Sequence, residues 1–182
     1  MEKIEIKTRR IINVQTGEVK TGDKNTILKS NAIASCVVVS AYDSIKEYGA
    51  LAHIMVPGEA SEKKVSHQTR YAKNAINEMI EQMTHMGAEK GRIETCLVGG
   101  GNVLKRDDDT IGHENLASVV KLLNEKQIKI RKKAVGGTKR RTILFDIEKG
   151  TIHYTEGNSK KMLLWKAAHG FDKKKGGGHN EG

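Results

Sequence analysis

Two apolar runs flank one short polar stretch near the N-terminal third of the chain, and they constrain the fold more than any other feature. The first runs from Cys36 through Val37, Val38 and Val39 to Tyr42, and the second from Gly49 through His53 to Val56. Asp43-Ser44-Ile45-Lys46-Glu47 lies between them and predicts a turn centred near residue 45. A continuous β-branched run such as Val37-Val38-Val39 suits a strand covered on both faces. With this pairing, Cys36 and His53 become near-opposite neighbours, about 5 Å apart at Cβ. A thiol and an imidazole at that separation form a potential nucleophile and base. The same residues also fit a packed core thiol and a satisfied core histidine.

Pro57, the sole proline, ends the second run where a missing N–H donor matters least. Upstream, residues 3–14 read as a strand. Downstream, Ala72, Ala75, Ile76, Met79, Ile80, Met83 and Met86 recur at three- and four-residue steps, which predicts a helix over about 66–86 that stops at Gly87. Residues 92–98 read as a strand leading to a tight turn at Gly99-Gly100-Gly101. That triplet is neither a Walker loop nor a dinucleotide fingerprint, since no Lys-Ser/Thr follows and Leu occupies position 104. A second helix is expected over His113–Glu125. Strands at about 128–135, 141–147 and 150–155 follow, with turns at Gly136-Gly137 and Glu148-Lys149-Gly150. Met162 to Trp165 is left as a short docking element. The expectation is one α/β (α+β) domain, a mixed and largely antiparallel sheet core against two main helices.

Length and composition limit the function classes. A chain of 182 residues, 37% apolar and 30% charged, has room for one domain with a sizeable core. No apolar run approaches the roughly 18 residues of a membrane-spanning helix. The opening Met1-Glu2-Lys3-Ile4-Glu5-Ile6-Lys7 lacks the apolar core of a secretory signal, so a cytosolic location without membrane insertion is expected. Cys36 and Cys96 form no Cys-x-x-Cys pair, and the seven histidines are dispersed, so neither a metal nor a cofactor is expected. The net charge is +10, of which residues 157–182 carry +4. That segment is expected to be a basic, partly disordered Lys/Gly-rich tail to a domain over residues 1–156. Aromatics are only 4% of the chain, too few for the stacking platforms of single-strand nucleic-acid binding.

Several segments, in order between about Asn25 and Tyr154, resemble the CheD family of chemoreceptor glutamine deamidases. They are Ala34-Ser35-Cys36-Val37, Gly49-Ala50-Leu51-Ala52-His53-Ile54-Met55-Val56-Pro57 and Arg70-Tyr71-Ala72. They continue with Val98-Gly99-Gly100-Gly101, Ile111-Gly112 with Asn115, and Gly136-Gly137-Thr138 with Arg141. The resemblance implies Cys36 as nucleophile, His53 as base and Ser30, where the family usually has threonine, as the third catalytic position. Ser35, Arg70, Tyr71, Gly100 and Gly101 would line the substrate side. Cytoplasmic helical segments of chemoreceptors would be substrates, and a CheC-type response-regulator phosphatase would be a partner. Glutamyl methyl esters would be chemically easier side substrates. The chain departs from the family at Ala32 and Ala34, where glycines are typical, at Lys73, and at His113-Glu114. A second reading keeps the scaffold as a non-catalytic adaptor that binds receptors or the phosphatase.

Overall fold

The computed structural model describes residues 8–63 and 66–168. Among these residues, ten strands and two α-helices follow one another. The first five strands are β1 (Arg10–Asn13), β2 (Val19–Gly22), β3 (Thr26–Ile33), β4 (Val37–Asp43) and β5 (Tyr48–Ile54). Helix α1 (Ala72–His85), β6 (Glu94–Gly99) and α2 (Ile111–Glu125) come next. The chain then forms β7 (Lys129–Val135), β8 (Arg141–Asp146), β9 (Thr151–Glu156) and β10 (Met162–Lys166).

The strands divide into two five-stranded sheets, ordered β1-β3-β8-β9-β10 and β2-β5-β4-β6-β7. Among the described strands, only β1–β3 and β6–β7 pair in parallel, so the α+β domain is mixed and largely antiparallel, as expected. Sheet continuity extends past residue 156, because β10 pairs with β9 and Ala167 is buried behind it. Residues 169–182, most of the expected tail, lie outside the described residues, as do residues 3–7 of the expected first strand.

Pleat alternation in β4 and β5 builds a three-layer stack. Val37, Val39, Ala41, Ala50, Ala52 and Ile54 face Ala75, Ile76, Met79 and Met83 of α1 and Val119 and Leu123 of α2. Val38, Tyr42 and Leu51 point the other way, onto Leu28, Ile33, Ile143 and Phe145 of the β1-β3-β8-β9-β10 sheet. Every residue of β4 is buried, which explains its unbroken apolar run. Tyr42 closes this inter-sheet layer with an edge-on contact to Phe145 and a hydrogen bond from its hydroxyl to the Ile147 carbonyl.

Helix α1 starts later than the apolar periodicity suggests. His67 takes a left-handed conformation, a short 3-10 turn covers Gln68–Arg70, and Tyr71 is extended before Ala72. The β4–β5 register also corrects the expectation. Val38, not Cys36, stands opposite His53, and Val37 stands opposite Ile54. Cys36 lies outside the ladder because the preceding loop bends toward the end of β6. The two-residue offset leaves parity unchanged, whereas a one-residue slip would have reversed the faces.

Candidate active site

His53 belongs to the face of β5 that meets the β1-β3-β8-β9-β10 sheet, and only 1% of it is exposed. Across the layer, Ser30 of β3 is fully buried, with its Oγ 2.8 Å from His53 Nδ1 and 2.6 Å from the Val14 carbonyl. The carbonyl can only accept, so the single hydroxyl proton goes to Val14 and Ser30 Oγ accepts from Nδ1–H. This assigns the neutral tautomer with its lone pair on Nε2, and Nε2 is buried without a hydrogen-bond partner. Burial pushes the His53 pKa down to about 4, against a smaller opposing pull from the Val14 backbone. The imidazole is therefore a neutral base at neutral pH.

Cys36 sits two positions before Val38, the residue paired with His53, and is half-buried. Burial pushes its thiol pKa up. Desolvation thus favours the neutral form of both thiol and imidazole over an ion pair. Cys96 is fully buried, with its thiol pushed up to about 12 by the same cause, and remains a core thiol.

The loop carrying Cys36 is fixed through its carbonyls. Gly100 N–H donates to Cys36 O at 2.7 Å and Gly101 N–H to Ala34 O at 2.9 Å. Gly99, at φ +122°, passes so close that a Cβ would stand 2.1 Å from Cys36 O. Behind the glycine turn, a Cβ on Gly112 of α2 would come within 2.8 Å of the Gly100 carbonyl. Asn115, one turn further on and fully buried, donates through Nδ2 to Ser35 O and Met55 O, both at 3.0 Å.

On the other side of the loop, β3 contains a bulge between Ser30 and Ile33, and Ala32 within it has φ +55°. Bulges of this kind re-aim a strand and are common beside active sites. Of the two loop alanines, Ala32 and Ala34, Ala32 alone takes positive φ. A non-glycine residue there costs roughly 1–2 kcal/mol, against ~0.5–1 kcal/mol for the extra chain entropy of glycine. Ala32 is exposed, so packing is not at stake. Ala32→Gly should therefore raise stability by somewhat under ~1 kcal/mol. Urea unfolding should show a higher midpoint at unchanged slope, and a lower midpoint would contradict the assignment of strain.

The remaining sequence-derived residues separate into two groups. Ser35 and Gly101 line a cavity of about 170 Å³ with Ala34, Val103, Leu104, Asp109 and Arg140. Gly100 holds the Cys36 carbonyl. Arg70 and Tyr71 lie elsewhere, beneath the end of β5. The Arg70 carbonyl receives the N–H groups of Met55 and Val56, the Arg70 stem covers Gly17, and Tyr71 bridges to Val56. Their visible contacts support the strand that carries His53 rather than line that cavity. Sequence reading gave Asn115 no role beyond a motif match. The available signal was its place on the buried stripe of α2 with Gly112, Val119 and Leu123. Among the described residues, no group of three or more His, Cys, Asp or Glu is arranged to hold a metal ion. No helix among them is long and apolar enough to cross a membrane.

The same end of the β4–β5 pair thus carries a serine-oriented neutral histidine and a glycine-braced cysteine loop, with no hydrogen bond between the Cys36 thiol and His53 Nε2. A family model described as CheD chemotactic sensory transduction matches residues 55–156, a span that opens two residues after His53. Curated relatives cover more of the chain. "Probable chemoreceptor glutamine deamidase CheD" of Chlorobium luteolum is 35% identical over 150 residues, 82% of this chain and 75% of its own length. The protein of the same description from Clostridium novyi is 36% identical over 66% of this chain and 76% of its own. Another from Clostridium botulinum is 30% identical over 78% of this chain and 90% of its own. The chain belongs to the CheD family.

Proposed function

We propose that this chain is a protein-glutamine deamidase of chemotaxis, converting side-chain carboxamides of chemoreceptor glutamines to carboxylates. The observation that carries the proposal is the buried, unpartnered Nε2 of His53, whose other nitrogen is committed to Ser30. In the reaction, His53 Nε2 takes the Cys36 proton as sulfur attacks the carboxamide carbon. The imidazolium then returns the proton to the leaving nitrogen, so that ammonia departs and a thioester remains. Water, deprotonated by the same nitrogen, hydrolyses the thioester to glutamate and restores the thiol. Sulfur suits both halves, attacking carbonyl carbon well and leaving readily. The tetrahedral oxyanion would be met by backbone N–H groups of the braced loop, including that of Cys36, a contribution of about 10²–10³-fold.

Substrates would be chemoreceptors, in keeping with the names of the relatives, and within them cytoplasmic helical segments. A CheC-type phosphatase would be a second partner, and the enzyme would work in the cytoplasm without a metal or cofactor. The catalytic unit would include β10, leaving the Lys/Gly-rich residues beyond it as an appendage.

The test is mass spectrometry of a glutamine-bearing receptor fragment incubated with the protein. Wild type should produce the mass increase of an amide-to-acid conversion at defined glutamines, and Cys36→Ala should produce none. Glutamyl methyl esters in the same assay would reveal esterase activity. Absence of product from every receptor fragment of the same organism, with those fragments still bound, would leave the adaptor reading in its place.

A further inference from the structure

We propose that Asn115 is a positioning residue that sets the distance between the nucleophile loop and the base-bearing strand, an inference that rests on the deamidase reading. Its side chain is fully buried in the first turns of α2. Its two Nδ2 protons go to carbonyls that are remote from each other in sequence. One belongs to Ser35, directly before Cys36, and the other to Met55, two residues after His53. Both acceptors are carbonyl oxygens, so the amide nitrogen must face them and the orientation of the side chain is fixed.

One planar group therefore ties together three elements: α2, the entry to β4 and the exit of β5. The strand ladder cannot do this itself, because pairing begins at Val37↔Ile54 and Ser35, Cys36 and Met55 lie beyond it. The glycine turn braces the loop from the β6 side through the carbonyls of Ala34 and Cys36. Asn115 braces the same loop through the intervening carbonyl of Ser35, from the side of β5. Consecutive carbonyls of residues 34, 35 and 36 are thus all claimed, leaving the loop little freedom to move its sulfur.

The arrangement carries a residual mismatch. Asn115 Oδ1 is buried without a partner, while a leucine, as found at position 116 or 123, would fill similar volume without it. Buried polar groups usually satisfy their bonds, and this one retains an orphan acceptor. What the asparagine supplies that an apolar side chain cannot is the pair of donated bonds.

The experiment compares wild type, Asn115→Ala, Asn115→Asp and Val119→Ala. Val119 is buried on the same helix stripe, so its truncation loosens the packing of α2 without touching the loop carbonyls. Each protein is assayed for deamidation of the receptor fragment and for iodoacetamide alkylation of Cys36 and Cys96 by peptide mapping. For Asn115→Ala, kcat should fall at least ~10-fold with KM within about twofold, as expected when geometry rather than binding is lost. Alkylation of Cys36 should rise several-fold as the loop opens, while fully buried Cys96 stays at the wild-type rate. Asn115→Asp, which puts a carboxylate against two carbonyls, should match or exceed the alanine effect.

Unchanged kcat and Cys36 alkylation in Asn115→Ala would overturn the proposal. So would an equal loss in Val119→Ala at matched melting temperature, or a joint rise of Cys36 and Cys96 labelling, which signals general unfolding. If Asn115→Asp does not fold, the alanine variant with its Cys96 reporter decides alone. If wild type itself gives no product, the deamidase reading fails, and the Cys36 labelling contrast still decides whether Asn115 places the loop.

Discussion

His53→Gln should lower the deamidation rate by ~10²–10⁴-fold while the protein stays folded, the range expected for loss of a general base. Glutamine can still present a donor to Ser30 but has no basic nitrogen. The pH dependence of wild type makes the prediction sharper. Burial holds the His53 pKa at about 4, so its lone pair remains available well below the usual histidine range. The acid limb of kcat/KM should accordingly fall near pH 4, not near 6.5. Stability follows the same group with a definite sign. Between about 4 and 6.5 the unfolded chain binds the proton and the folded one does not, so stability rises with pH across that window and is complete above it. On going from pH 7.5 to pH 5, His53 alone should remove roughly 2 kcal/mol from wild type, and His53→Gln should be spared that loss. Urea unfolding at the two pH values checks the difference. Equal acid sensitivity in both proteins would show that the imidazole is not buried neutral.

Gly99→Ala should be the most damaging single-methyl change in the site. Its φ of +122° lies where L residues are strained, costing on the order of 1–3 kcal/mol. The new Cβ would also stand 2.1 Å from Cys36 O and 2.6 Å from Ile33 Cγ2. Relief requires the Cys36 carbonyl to withdraw from the Gly100 N–H, which carries the sulfur with it. A shift of about 1 Å at a reacting group can cost ~10²-fold in rate, so activity should fall at least that far, with a clear drop in melting temperature. Gly91→Ala is the matched control, because a Cβ there meets nothing within 4 Å. It should stay within about 0.5 kcal/mol of wild type and keep full activity. Comparable losses in the two variants would remove the special role of the Gly99 contact.

These residues also show where sequence is transparent to structure. Both helices and the β4–β5 hairpin could be read because their apolar periodicity answers to one large core. β3 could not be read so well. Its buried positions are Thr26, Leu28, Ser30 and Ile33, and a buried serine bonded to a carbonyl and an imidazole looks like a turn residue when only polarity is counted. The bulge at Ala32 hid the rest by interrupting the two-residue alternation. Ser30 entered as a candidate only through the family resemblance, and its contact with His53 is geometry that neighbouring residues do not encode. The register offset at Cys36 begins at the turn. A hairpin centred near residue 45 suggested pairing through Cys36, whereas the ladder closes at Asp43↔Tyr48 and ends at Val37↔Ile54, and the loop before it bonds through its carbonyls to Gly100, Gly101 and Asn115. Those partners are 64–80 positions away in the chain, beyond the reach of any local pattern.

The hydroxyl that orients the imidazole stands on one sheet and the imidazole on the other. Competence for chemistry is therefore a property of the docked bilayer, and neither half can be poised by itself. Mild denaturant or a cavity between Leu28, Val38 and Phe145 would release the ring before either sheet frays, so turnover becomes a more sensitive gauge of interlayer closure than circular dichroism. A partly assembled chain would be silent toward receptors until its two halves had met.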